Sequence, residues 1–158
     1  MRSVWRWLGA IVILLAGWAA PTPLAQAASL DTTADRVFGQ PDFSQHGVND
    51  GGLSAASLDE ASGVALDRQG NLYVADEFNN RVLEYDAPLS SSMAASRVFG
   101  QPSFITNTVN NGGLSAASLN SPSRVAVDAQ GHLYVADSGN NRVLEYDAPL
   151  TGSTASRA

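Results

Sequence analysis

Cysteine is absent from this 158-residue chain, and so is lysine. Without cysteine there are no disulfides, no zinc–thiolate or iron–sulfur sites and no cysteine nucleophile. Without lysine, all 9 basic residues are arginines facing 15 acidic ones, and the net charge of −6 suits neither a nucleic-acid backbone nor an anionic lipid surface. Histidine is scarce, at His46 and His132 alone, and the tryptophans (Trp5, Trp7, Trp18) all lie near the start, so none can serve a core or a ligand platform further on. The apolar run Leu8 to Ala20 has 13 residues, short of the roughly 20 that a bilayer-crossing helix needs. What is present, 44% hydrophobic and 15% charged residues, is the composition of a chain that folds.

That apolar run has a setting of its own. Arg2 and Arg6 precede it, Pro21 and Pro23 follow it, and Ala25-Gln26-Ala27 spells a signal-peptidase site. Residues 1–27 are therefore expected to be a signal peptide, and the protein to be secreted or periplasmic with no stable membrane insertion after cleavage. Cleavage removes two arginines, leaving 9 − 2 = 7 basic residues against 15 acidic and a net charge of −8. Oxidising compartments favour disulfides, so an exported chain lacking them must rely on packing and β-ladders.

The rest of the sequence is a duplication. Arg36-Val37-Phe38-Gly39-Gln40-Pro41 returns as Arg97 to Pro102, Gly51 to Leu58 as Gly112 to Leu119, Leu72 to Asp76 as Leu133 to Asp137, and Asn79 to Leu89 as Asn140 to Leu150. Every offset is 61; aligning 36–89 on 97–150 gives 54 pairs, of which 15 differ and 54 − 15 = 39 are identical. The differences gather at 42–50, 59–63 and around 68–78, in loops and strand margins, and the one swap inside a strand, Leu66 for Val127, is apolar for apolar. A fixed period of this length marks a stacked array in which each unit buries its face on the next.

Turn chemistry and β-branched runs place the strands. Gly63 to Asp67 reads as a first strand, Arg68-Gln69-Gly70 as a turn, Asn71 to Ala75 as a second strand, and Asp76 to Asn80 as a turn tolerant of left-handed backbone. Arg81 to Asp86 is a third strand with Val82 and Glu84 on one face and Leu83 and Tyr85 on the other; Arg97 to Gly100 is a fourth. The second unit repeats this at 124–128, 132–136 and 142–147. Four short antiparallel strands joined by tight turns make one propeller blade. The expected fold is all-β, a partial β-propeller of two four-stranded blades with the second incomplete. The expected organisation is a linker at 28–35, a fourth-type strand plus inserted loop at 36–62, a first blade at 63–100, a second inserted loop at 101–123, a three-stranded second blade at 124–150 and a tail at 151–158.

The segment Gly63 to Val82, with Tyr73-Val74-Ala75-Asp76-x-x-Asn79-x-Arg81-Val82, and its counterpart Arg124 to Val143 resemble the NHL repeat. The flanking Val-Phe-Gly-Gln-Pro and Asn/Asp-Gly-Gly-Leu-Ser-Ala-Ala-Ser-Leu segments are similar to those of long-period exported bacterial members. The resemblance implies a propeller, commonly six-bladed, that works as a non-catalytic binding or scaffold module. Its alternative is a fragment of a lactonase- or lyase-like propeller enzyme whose catalytic and metal residues lie in other blades. The units here are longer than usual, the excess falling at 41–62 and 102–123, and Phe78 stands where the turn usually has a small residue such as Gly139.

Candidate chemistry is sparse. Asp76, Asn79, Asn80 and Arg81, with Asp137, Asn140, Asn141 and Arg142, form a constellation present in both units, as a turn-holding device is and a catalytic group usually is not; the aspartates are expected to accept turn N–H groups and the arginines to bridge backbone or carboxylates. Asp42, Asp50, Asp59 and Glu60 offer oxygen ligands outside any calcium-loop spelling. His46 and His132 occupy different repeat positions and lack metal-site companions. No Gly-x-Ser-x-Gly elbow occurs, and no histidine shared by both units could serve as base. No catalytic residue, metal or cofactor is expected. Phe43 and Phe104 repeat and are expected to pin the inserted loops; Phe78 does not repeat and is the expected exposed contact, for a protein or carbohydrate ligand. Strand counting leaves 36–39 without a blade before it and the second blade without its fourth strand. The expectation is a truncated array, with a homotrimer as the alternative.

Overall fold

The computed structural model describes residues 32–148 and 154–157, so the expected signal peptide at 1–27 lies outside the described residues. Seven strands are formed: β1 (Ala61–Leu66), β2 (Leu72–Asp76), β3 (Arg81–Tyr85), β4 (Arg97–Phe99), β5 (Pro122–Val127), β6 (Leu133–Asp137) and β7 (Arg142–Tyr146). They build a four-stranded antiparallel sheet, β1-β2-β3-β4, and a three-stranded one, β5-β6-β7. Each sheet is a blade, and the fold is all-β as the alternation of turn signals and β-branched runs requires.

Strand limits differ from expectation by one or two residues for a local reason. β1 begins at Ala61 because Ala61 pairs with Asp76 and Gly63 with Ala75, leaving Ser62 as a bulge; β5 repeats this with Pro122, Ser123 and Arg124. The turns after β2 and β6 are single 3-10 turns, Glu77–Asn79 and Ser138–Asn140, closed by Asn80 (φ 52) and Asn141 (φ 53) in the left-handed region that asparagine tolerates.

Register assigns the faces. Val64, Val74, Leu83 and Val98 are matched across the first sheet, as are Gly63, Ala75, Val82 and Phe99, and the two rows point to opposite sides. The Val82 row faces the second sheet. There Tyr73, Val82 and Phe99 join Leu119, Leu133, Val135, Leu144 and Tyr146 in one core, with the Phe99 and Tyr146 rings edge-on at 5.0 Å. Of the other row, Val74, Leu83 and Val98 are covered by the chain ahead of β1, where Phe38, Ala55 and Leu58 pack and Phe38 meets Tyr85 edge-on at 5.3 Å, while Val64 at its β1 edge stays exposed. All five residues of β3 are buried, because the first sheet is sandwiched.

One expected strand is not formed. Residues 36–39 pair with no strand; Val37 accepts the Ser92 N–H through its carbonyl (3.0 Å) and takes no part in a ladder. The outer edge of β3 is already held by β4, and β7 meets Arg157, which bridges Glu145. That bridge corresponds to Glu84 pairing with Arg97, one position earlier in the second unit (157 − 145 = 12 against 97 − 84 = 13).

Candidate functional site

The repeated constellation is a clamp, and it closes on the inserted loop rather than on its own turn. Asp76, fully buried, accepts the Asp59 N–H at 2.7 Å, Arg81 Nε at 2.7 Å and Asn79 Nδ2 at 2.9 Å. The bonded N–H lies 17 residues upstream, which corrects the expectation that the aspartate satisfies turn N–H groups. Arg81 then donates to the carbonyls of Ser54 and Ser57 (2.9 Å each) in the loop before the blade and of Phe104 (2.6 Å) in the loop after it. Asp137, Asn140 and Arg142 repeat the arrangement on the Asn120 N–H (2.7 Å), with Arg142 donating to Ser115 and Ser118 (2.8 Å each). Burial pushes the Asp76 carboxyl upward from its ordinary range, opposed by the Asp59 N–H and the Arg81 charge.

Sequence reasoning missed two members of this clamp. Asn49 and Asn79 exchange amide hydrogen bonds (3.0 and 2.8 Å), as do Asn110 and Asn140 (2.9 and 2.8 Å), and Ser57 and Ser118 are fully buried beside them. The signal was there: Asn49 is unchanged at Asn110 inside the most variable stretch, and both sit at φ 45.

Around the clamp lie apolar side chains. Phe78 is 58% exposed, on the turn that also carries Asn79 and Asn80. Phe104 is half-buried against the first blade, whereas Phe43 is 61% exposed. Only the second inserted loop is pinned by its phenylalanine, because the blade on which Phe104 rests has no counterpart ahead of Phe43 among the described residues.

At the opposite ends of the strands a polar cleft of about 770 Å³ opens between the β1–β2 turn, β3, β4 and the β5–β6 turn. The Tyr73 hydroxyl shares its one proton between Glu84 (3.0 Å) and Asp67 (3.3 Å), and Arg97 pairs with the other Glu84 oxygen (2.8 Å). Burial pushes Glu84 upward against the pull of Arg97, and pushes the Tyr73 phenol far above its usual range. His132 bonds Asp128 at 2.8 Å, while burial of Asp128 is outweighed by the His132 N–H, leaving its carboxyl at about 2. Asp42, Asp50, Asp59 and Glu60 do not converge, and among the described residues no three His, Asp or Glu side chains could hold a metal. Nor is any described helix long and apolar enough to cross a membrane.

Blades of this size, clamped to loops by Asp-x-x-Asn-x-Arg, define a repeat protein of the β-propeller class. The NHL repeat model matches residues 58–85 and 119–146, one stretch in each blade, and NHL repeats indicate a propeller-type interaction module. It is similar to Protein SUPPRESSOR OF QUENCHING 1, chloroplastic, of Arabidopsis thaliana (28% identical over 127 residues) and to Teneurin-4 of Homo sapiens and of Mus musculus (36% over 97). Those stretches cover 77% and 56% of this chain but 11% and 4% of the relatives, so the match concerns the repeats and not the whole proteins.

Proposed function

We propose that the chain is an exported binding or scaffold module without chemistry of its own, engaging a protein at the end of the blades that carries the β2–β3 turn. The observation that supports this is where the polar groups are spent. Asp76, Asn79 and Arg81 are fully buried and bonded to each other and to loop backbone, so they have no face left for a substrate. At the same end, apolar side chains stand in water on loops that the clamp holds: Phe78, Ile105, Val109 and Leu114 are 58%, 72%, 52% and 64% exposed. Exposed apolar groups on a rigid support are contact surface.

Placing a photo-crosslinking benzoylphenylalanine at position 78 in the exporting host tests the reading. A discrete protein adduct, competed away by unlabelled chain, supports it. No adduct, together with lactone hydrolysis by the purified chain, overturns it in favour of the enzyme. Export is tested by N-terminal sequencing, which should begin at Ala28; material beginning at Met1 removes that part.

A further inference from the structure

The two blades make one contact inside the chain, and each side of that contact occurs a second time without a partner among the described residues. Asn80 is its polar centre. The side-chain oxygen accepts the Ser121 N–H (2.9 Å), the amide donates to Asn107 O (3.0 Å), and the Asn80 carbonyl accepts Gln101 Nε2 (3.0 Å). A shift of 61 residues carries Asn80 to Asn141, which is exposed where Asn80 is buried and makes none of these bonds among the described residues. Arg81 Nη1 reaches Phe104 O, while among the described residues Arg142 bonds through Nε and Nη2 alone.

The complementary groups stand at the head of the first blade. Gln40 donates to Gly47 O at 2.9 Å just as Gln101 donates to Thr108 O, but among the described residues it lacks the second acceptor that Gln101 finds in the Asn80 carbonyl. Glu60 and Phe43 occupy the positions of Ser121 and Phe104. The apolar surfaces divide in the same way. Val82 is fully buried by the second blade, whereas its equivalent Val143 is 56% exposed. Val125 and Val127 pack into the shared core, whereas Val64 and Leu66 are 66% and 60% exposed.

We propose that these two surfaces are the halves of one contact between two copies of this chain, the second blade of one copy stacking head-to-tail on residues 36–66 of the next. The internal contact is the template: Leu83 pairs with Val98 and Val82 with Phe99, so Leu144 and Val143 take Val37 and Phe38 of the neighbour. This gives the strand that 36–39 does not form within one copy its missing edge. Arg157, on Glu145, occupies only the position that Arg36 would otherwise take. Because the two faces differ, the contact is heterologous, and either closes into a ring or runs on.

The test uses the full gene product as the cell processes it, with light scattering across a dilution series. Wild type should have a mass that is a multiple of the single chain and falls on dilution. Val143→Arg spoils the tail face and Val64→Arg the head face, both at exposed positions; each variant alone should be a single chain. An equimolar mixture should form a pair and go no further, since one intact head meets one intact tail. Circular dichroism establishes that each variant is folded, and Asn141→Gly, which keeps the left-handed turn, replaces Val143→Arg if it is not. A wild-type mass of one chain at every concentration, or variants that fail to pair when mixed, overturns the proposal.

Discussion

Two chemically identical clamps differ in their surroundings, and that difference decides what each is worth. Asp76 and Arg81 both have fully buried side chains, while Arg142 beside Asp137 is 18% exposed. Removing a carboxylate that leaves a buried guanidinium unpaired costs about 3–5 kcal/mol; where water reaches the guanidinium the loss is nearer the roughly 1–3 kcal/mol of an unmade buried hydrogen bond. Asp76→Ala should therefore destabilise the chain more than Asp137→Ala in urea unfolding, and equal losses would show that burial of the arginine is immaterial. Tyrosines give a second prediction. Burial raises Tyr73, Tyr85 and Tyr146, so the folded chain keeps phenolic protons that the unfolded chain releases near pH 10. Stability is full below that pH and falls as pH rises through and above it. The Tyr85 hydroxyl is buried without a partner among the described residues, so Tyr85→Phe should reduce the alkaline fall in melting temperature and leave neutral stability unchanged or higher. Asp76, Asn79 and Arg81 were legible because both copies kept them, while Asn49 and Ser57 were missed though equally repeated; which N–H the aspartate would take was not legible, since a partner 17 residues away leaves no local spacing.

At the scale of elements, glycine separates backbone demand from packing demand. Gly100 (φ 85) and Gly112 (φ 81) share a left-handed backbone, yet a Cβ on Gly100 would meet Leu119 Cδ1 at 2.5 Å while one on Gly112 meets nothing within 4 Å. Alanine at Gly112 should cost about 1–2 kcal/mol, the strain of that backbone in a residue with a Cβ. Alanine at Gly100 should cost clearly more, because Leu119 is a fully buried core residue that must move. Thermal unfolding of the two variants checks this, and comparable losses would mean that the core yields freely at Leu119. Strand order followed from turn spelling alone, whereas the starts of β1 and β5 did not, because a bulge at Ser62 or Ser123 has no signature in a run of small residues. The strand expected at 36–39 shows the general limit. Its sequence is that of β4, but a strand needs an edge as well as a sequence.

For the molecule as a whole, Phe99 is the side chain that joins the blades. The backbone of Phe99 pairs with Val82 within the first sheet, and its fully buried ring packs on Tyr73 of that sheet and Tyr146 of the other. Truncation of a buried phenylalanine costs about 3–5 kcal/mol. In a stacked array the loss falls on the interface between units, so Phe99→Ala should also broaden the unfolding transition as the blades cease to melt together. A sharp single transition at lower temperature would show that the inserted loops couple the blades without it. The stacking itself was legible from the period of 61 and from where the differences fall. The covering of the first blade by its own leading segment was not, because a sequence repeat does not say which of its copies sits next to another.

The sequence repeat and the blade are out of step. The outer strand of the first blade, Arg97–Phe99, is the opening of the second repeat, Arg-Val-Phe-Gly-Gln-Pro. On a ribosome the chain appears in order, and β3 ends at Tyr85, 97 − 85 = 12 residues before its edge partner begins. At roughly 5–20 residues per second, each newly made blade waits about a second with β3 uncovered before the following repeat supplies its last strand. The first blade cannot be completed until the second repeat has begun to be made, so the timing of synthesis enforces the same neighbour-to-neighbour dependence that the finished blades show in space.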